Sequence, residues 1–382
     1  MTSLRRIALV VPDVSTSGGV STVAHFLWKV LQKSTRFDVD LYSVALSSED
    51  RASVHIRHPS TWIGGIEVME ERVEAVPYQH VGAFVSEVES FRYLPRRALT
   101  ERLNGYDLVQ IVAGTPAWAH LSKSASTTVA LQVATLAREE RASTLQGPVT
   151  PVALWRRAMT RVTDWLDHSA LKHVDVAFVE NQWMYDYLLQ YLNPDQVVFA
   201  PPGVDTERFT PGSPPSDGEY LLSVGRLADA RKNVRLLFEA YAKLCDRLRT
   251  VPPLVLAGRT PPPLEAWNRA ETLGIRSSIR FLEDVPPDDL SELYRNAFLY
   301  VVSSDEEGLG LTILEAMASG RPVVSTDCGG PSTTVVEGKT GFLTPVGDAD
   351  ALACAIRALL SKPDRADAMG RKGRKRVELN FS

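Results

Sequence analysis

The sequence is poor in the side chains on which specialised chemistry usually rests. Three cysteines (Cys245, Cys328, Cys354) are too few and too scattered for a disulfide framework or a paired metal-ligand motif. A reducing compartment follows as the expectation. Histidine disappears after His173, so an imidazole, if one is needed, must come from His25, His55, His58, His80, His120, His168 or His173 in the first half. No D-x-D pair stands beside a strand end with a diphosphate-binding role, and the adjacent acids Asp288 and Asp289 in "PPDDL" read as a helix N-terminus. A net charge of -4 with pI near 6.0 leaves no electrostatic footprint for nucleic acid or an anionic membrane. The N-terminal apolar run is about six residues long, short of a signal peptide or a membrane span. A cytoplasmic location is therefore expected, with peripheral membrane contact left open.

What is present is ordinary globular composition, 44% hydrophobic and 23% charged over 382 residues, enough for two or three domains. Short apolar runs alternate with helical patterns. "RIALVVP" reads as a buried strand, and "VSTVAHFLWKVLQK" keeps helical spacing through Val20, Val23, Ala24, Leu27, Val30 and Leu31. "DLYSVAL", "DLVQIVAG", "TTVALQVA" and "DVAFVE" continue the strand series, with helical segments near 152–172 and 182–192. Five prolines and three glycines between Pro201 and Gly218 have linker chemistry. Alternation restarts at "YLLSVG". The expectation is an α/β protein of two Rossmann-like doubly wound domains, 1–200 and 217–382, joined by a linker at 201–216 and facing each other across a cleft.

In such sheets ligands bind beyond the carboxyl ends of the strands. "FLYVVSS" is a strand, so "DEEGLG" is its carboxyl-end loop and "LTILEAMASG" the helix that follows. Gly308 and Gly310 permit close backbone approach, and free amides at the helix start suit an anion. Glu307 stands at the mouth of that helix, where capping is the plainer role. Glu315 sits among apolar neighbours and needs partners, which ligand hydroxyls could supply. A second cluster places Gly225 and Arg226 at a strand end and Lys232 before the next helix. Both cations are expected in a solvent-facing loop, where they could neutralise a diphosphate without metal. Together these groups suit a molecule carrying a diol and a diphosphate.

These stretches resemble the retaining glycosyltransferases of the family 4 type, the group 1 glycosyl transferases of GT-B fold. The resemblance rests on "PPGVDTERFTP", "SVGRL…RKN", "EEGLGLTILEAMASGRPVVSTDCGGP" and "EGKTGFLTPVGDADALACAI", nearly continuous over the second half. It implies a nucleotide-diphosphate sugar, UDP- or GDP-linked, as co-substrate, with no cofactor and no metal. The acceptor would be a small molecule, a glycan or a lipid-linked species. By the same resemblance Arg226 and Lys232 grip the diphosphate, with Gly225 beside them. Glu307 contacts hydroxyls of the transferred sugar, the amides of Gly308, Leu309, Gly310 and Leu311 hold sugar and phosphate, and Glu315 bonds the ribose diol. Gly18 and Gly19 bring amides near the phosphate from the first domain, and Glu283, Asp284 and Val285 flank the base.

Two departures stand out. The first-domain pattern of the family ends a strand with histidine, where "ALQVATLAREE" has Ala134; His120 in "TPAWAH" is the alternative imidazole. The chain also stops at "RKRVELNFS", where the family pattern continues with a helix returning to the first domain. Two rival readings keep the fold: a glycosyl phosphorylase or synthase, and a non-catalytic nucleotide-sugar-binding partner. A dinucleotide oxidoreductase fits poorly, because "STSGGVSTV" lacks the G-x-G-x-x-G spacing.

Overall fold

The computed structural model describes residues 4–15, 18–73, 76–142, 145, 150–214 and 219–382. The chain divides into two units, Met1–Glu180 with Met184–Ala200, and Asn181–Trp183 with Pro201–Ser382.

The first unit holds β1 (Arg5–Pro12), β2 (Phe37–Val44), β3 (Val68–Val73), β4 (Val76–Val81), β5 (Leu108–Val112), β6 (Thr128–Val133), β7 (Val176–Val179) and β8 (Val197–Phe199). Their order is β3-β4-β2-β1-β5-β6-β7-β8, parallel except for the β3–β4 pair. Strand β1 shows why the sheet lies inside. Ala8 and Val10 enter the core on one face, while Ile7, Leu9 and Val11 enter the core on the other. An unbroken apolar run is what a strand covered on both faces requires.

The second unit repeats the plan with β9 (Tyr220–Val224), β10 (Leu254–Gly258), β11 (Ile279–Glu283), β12 (Ala297–Val302), β13 (Val323–Thr326) and β14 (Gly341–Thr344). The order β11-β10-β9-β12-β13-β14 is wholly parallel and reverses direction between β9 and β12. That reversal opens a crevice beyond the carboxyl ends of those two strands, the position where open α/β sheets bind ligands.

The stretch read as a linker is corrected by its packing. Pro201 onward belongs to the second unit, and Phe209 is buried in its core beside Tyr294. The Arg374 guanidinium, on the helix Pro363–Asn380, donates to the carbonyls of Thr206 (3.2 Å), Phe209 (2.6 Å) and Ala318 (2.8 Å). Proline and glycine here give an ordered surface path rather than slack. Residues 215 and 216 of the expected linker, and 217 and 218 of the second domain, lie outside the described residues. The edge hairpin β3–β4 has no counterpart in the sequence reading. Among the described residues no helix is long and apolar enough to cross a membrane.

Arg374→Leu should strand three carbonyls at once. We expect a stability loss of roughly 2–4 kcal/mol from deleting several bonds to a charged donor, measured by thermal or urea unfolding. A wild-type midpoint would show that solvent satisfies those carbonyls instead.

Candidate functional site

The loops after β9 and β12 are zipped together across the switch point. The backbone N–H of Asp305 donates to the Arg231 carbonyl at 2.7 Å, and Ser303 Oγ donates to the Lys232 carbonyl at 2.9 Å. Asn233 Nδ2 donates to Asp305 Oδ1 at 2.8 Å. Two ion pairs complete the seam: Arg231 Nη1 to Glu306 Oε2 at 2.6 Å, and Lys232 Nζ to Glu307 Oε1 at 2.5 Å. Ser304 Oγ also donates to Glu307 Oε1, at 2.6 Å.

Burial alone would raise the Glu307 carboxyl. The Lys232 ammonium, the hydrogen bonds from Lys232 and Ser304, and the nearby Arg231 charge outweigh it and hold the group below its ordinary range. Glu307 is thus a fixed carboxylate. Asp229 behaves alike: burial would raise it, but the Arg231 guanidinium at 2.9 Å holds it down.

Arg226 and Lys232, grouped by the sequence, live in different surroundings. The Arg226 side chain is 55% exposed and only leans on Asp229, at 3.5 Å. Lys232 is 19% exposed and clasped to Glu307, so the expectation of a solvent-facing lysine is corrected. The loop residues 229–233 are pulled inward by their bonds to 303–307, and the ammonium goes with them.

The helix Leu311–Ala318 begins at Gly310, whose φ of 83° lies in the left-handed region open to glycine. The helix leaves its first N–H groups without intrahelical acceptors, at the carboxyl end of β12. Beneath this turn, Gly330 packs so tightly that a Cβ would stand 2.5 Å from the Gly308 carbonyl oxygen and 2.6 Å from Leu309 Cα. Asn181 Nδ2 donates to the Gly308 carbonyl at 2.5 Å and fixes the loop from another side. Leu309 is buried and anchors it, and Leu311 opens the helix.

Glu315 lies farther along this helix and accepts from the fully buried Tyr294 hydroxyl at 2.8 Å. Burial pushes its carboxyl up to about 7, against the lowering effects of the Tyr294 bond and the Arg208 charge. Two carboxyl groups on one loop and helix are therefore shifted in opposite directions. Tyr300 Oη bonds the Val224 carbonyl at 3.0 Å and ties β12 to the end of β9.

Gly225 follows β9, and its N–H donates to the Ala257 carbonyl. Glu283, Asp284 and Val285 fall at the end of β11, on the same carboxyl-end rim, where the Asp284 N–H donates to Gly258 at 3.1 Å. Gly18 and Gly19 belong to the first unit, at the start of the helix Gly19–Gln32 after β1. Ala134 follows β6, with its N–H on the Gly114 carbonyl at 3.2 Å. His120 is buried, bonded through Nε2 to Ser169 Oγ at 2.8 Å and packed edge-on against His173. Burial lowers its basicity first, and the His173 charge adds to this. His120 is a packing residue and is corrected as the alternative imidazole. Among the described residues no three His, Cys, Asp or Glu side chains converge as metal ligands.

The sequence reading missed Arg231, Asp229 and Glu306, and with them Tyr294. The signal lay in "DARKN" and "DEEG", where Arg231 adjoins Lys232 and Glu306 adjoins Glu307, while Asp229 stands midway between Arg226 and Lys232.

Residues 205–376 match the family model described as Glycosyl transferases group 1. That match lies wholly within the second unit and includes the seam. D-inositol 3-phosphate glycosyltransferase of Corynebacterium urealyticum is 35% identical over 192 residues, 46% of this chain and 45% of that protein. The GDP-mannose-dependent alpha-(1-6)-phosphatidylinositol monomannoside mannosyltransferase of Mycolicibacterium smegmatis is 34% identical over 192 residues, 46% and 50% of the two chains. The chain thus matches about half the length of these curated relatives. Sucrose-phosphate synthase from Thermosynechococcus elongatus superposes with a TM-score of 0.71 at 22% identity, over 99% of this chain and 95% of that one. The two-domain α/β fold with parallel sheets is the GT-B fold.

Lys232→Met should leave Glu307 buried without its cation, at a cost of about 3 kcal/mol near neutral pH, the low end for a buried pair that stays partly wetted. The sign follows from linkage. In the wild type the folded carboxyl sits below its ordinary 4.5, so its stabilisation is present above that value and is lost as pH falls through the lowered one. In the variant, burial without the lysine raises the group instead. The deficit should therefore be large at pH 7 and shrink toward pH 4 in urea unfolding. A deficit independent of pH would refute the pairing as its source.

Proposed function

We propose that the chain is a retaining, metal-independent glycosyltransferase of the family 4 type, moving a sugar from a UDP- or GDP-linked donor to an acceptor hydroxyl, with a cytoplasmic location. The observation that carries this is the Lys232–Glu307 pair at the switch point, 2.5 Å long, on the same two loops as exposed Arg226 and the turn that starts the helix Leu311–Ala318. The names of the relatives support a glycosyl-transfer reaction, and their inositol-phosphate and phosphatidylinositol acceptors suggest members for an acceptor panel.

In this reading Arg226 and Lys232 hold the donor diphosphate, assisted by the amides of Gly308 to Leu311. Lys232 then bridges phosphate and Glu307, and the carboxylate faces hydroxyls of the sugar. Glu315 accepts from the ribose diol, and Glu283 to Val285 flank the base. The bond from the anomeric carbon to the diphosphate oxygen breaks while a bond to the acceptor oxygen forms on the same face. The acceptor proton passes to the departing phosphate oxygen. The two cations stabilise charge gathering on the leaving diphosphate, the task a divalent metal performs elsewhere. Glu307, already ionised and clamped, positions and stabilises charge.

A panel of UDP- and GDP-sugars, screened by thermal stabilisation and turnover, tests the reading. One donor at 100 times its dissociation constant should stabilise the protein by about 2.7 kcal/mol, and its turnover should survive EDTA. Strict dependence on added Mg²⁺ or Mn²⁺ would overturn metal independence, and no response to any donor would overturn the function.

The two carboxylates should separate in kinetics. Contacts equal in ground and transition states act on binding, and those that strengthen during reaction act on turnover. Glu307→Gln should cut kcat by about 10²–10³ with nucleoside diphosphate affinity nearly unchanged. Glu315→Gln should weaken that affinity. Wild-type affinity should also fall as pH drops through about 7, where Glu315 takes up its proton, and the variant should lack this limb. Calorimetric titration beside steady-state kinetics reads both effects, and exchanged outcomes would exchange the roles.

A further inference from the structure

Strands β10 and β11 run parallel with Gly258 beside Glu283, so Arg259 and Asp284 follow as neighbours on the carboxyl-end rim. Gly258 holds this part of the rim against the end of β9, since a Cβ there would stand 2.3 Å from the Gly225 carbonyl oxygen. With strands about 4.8 Å apart, Asp284 lies roughly 10 Å across the sheet from Gly225. A nucleoside spans that distance from a diphosphate held beside Arg226. Asp284 has a φ of 45°, in the left-handed region, and its N–H is held on the Gly258 carbonyl at 3.1 Å. Few residues other than glycine accept this backbone, aspartate and asparagine most readily. The Asp284 carboxylate stands 4.0 Å from Arg259 Nε, with the two side chains 69% and 67% exposed. The two heads thus lie side by side without a hydrogen bond between them. Among the described residues neither side chain makes a hydrogen bond elsewhere. An exposed pair at this spacing adds little to stability, so the fold does not require it.

We propose that Arg259 and Asp284 read the base of the donor nucleotide, and that this base is guanine. The proposal rests on the nucleotide-sugar site described above, with the base beside Glu283 to Val285. A carboxylate only accepts, through two oxygens, and a guanidinium only donates. Guanine presents two adjacent N–H donors, at N1 and N2, next to the O6 acceptor. Asp284 takes both donors in a paired contact, and Arg259 donates to O6. Uracil presents one N–H between two carbonyl oxygens, which sets an oxygen against the carboxylate. Adenine presents one amino donor beside a ring-nitrogen acceptor, which leaves the second carboxylate oxygen without a hydrogen. Guanine satisfies both side chains.

Calorimetric titration of the full chain with GDP, IDP, UDP and ADP tests this, because IDP is GDP without the 2-amino group. The wild type should bind GDP about tenfold more tightly than IDP, the scale of one hydrogen bond to a charged group. Its margin over UDP and ADP should be at least as large. Asp284→Asn keeps a residue suited to the left-handed backbone but sets an amide N–H against a guanine N–H. It should erase the margin of GDP over IDP. Arg259→Ala should weaken GDP and IDP alike, since both carry O6. A merely structural role for either residue would move all four nucleotides together. Equal binding of GDP and IDP by the wild type, or a margin that survives Asp284→Asn, would overturn the guanine assignment. Tightest binding of UDP or ADP would overturn it too, while leaving a nucleotide-sugar site in place. Binding of none of the four would overturn that site, and the assignment with it.

Discussion

The second unit turns on the seam between the loops 229–233 and 303–307. Each loop alone is a short polar connection that would favour solvent. Placed side by side by the parallel pairing of β9 with β12, they exchange backbone and side-chain hydrogen bonds and two ion pairs. Taking carboxylates out of water is costly unless cations and donors meet them. Glu306 and Glu307 each receive a cation, and the loops consequently have one arrangement in which neither charge is stranded. The position of Lys232, the ionisation of Glu307 and the start of the following helix all derive from that arrangement.

The seam also divides the work of two cations that look equivalent in the sequence. Arg231, paired twice, is structural, while Arg226 keeps its guanidinium more than half exposed. Lys232 stands between these roles, part of the seam yet at the crevice. Glu315 completes the contrast. The same helix that starts beside an ionised glutamate carries, farther in, one that burial lifts to about 7. One short element thus offers a permanent negative charge and a titratable acceptor.

Much of this was legible in the sequence, for reasons that differ by element. The strands β1 and β12 announced themselves by unbroken apolar runs, as a strand covered on both faces requires, and β5 and β9 by runs interrupted once, at Gln110 and Ser223. The glycine turn before Leu311 was legible because few residues other than glycine accept its backbone. The edge hairpin was not. Glu70, Glu71 and Arg72 make β3 resemble a polar loop, and only its antiparallel partner β4 turns it into a strand. The proline-rich stretch after Ala200 misled because its order comes from Arg374, a guanidinium far along the chain. Arg231 with Glu306 escaped notice because separation along the chain conceals an ion pair until the strands are paired.

That separation has a bearing on how the protein comes into being. Lys232 and Glu307 are 75 residues apart, and β10 and β11 are made between them. At ordinary translation rates the first loop must wait roughly 4–15 s for its partner to be synthesised, with β9 holding only one of its two neighbours. Until β12 leaves the ribosome, one edge of β9 is an open template for foreign strands. Pausing before β12 has emerged would prolong this exposure, whereas pausing once residue 307 is outside the ribosome would find the seam able to close.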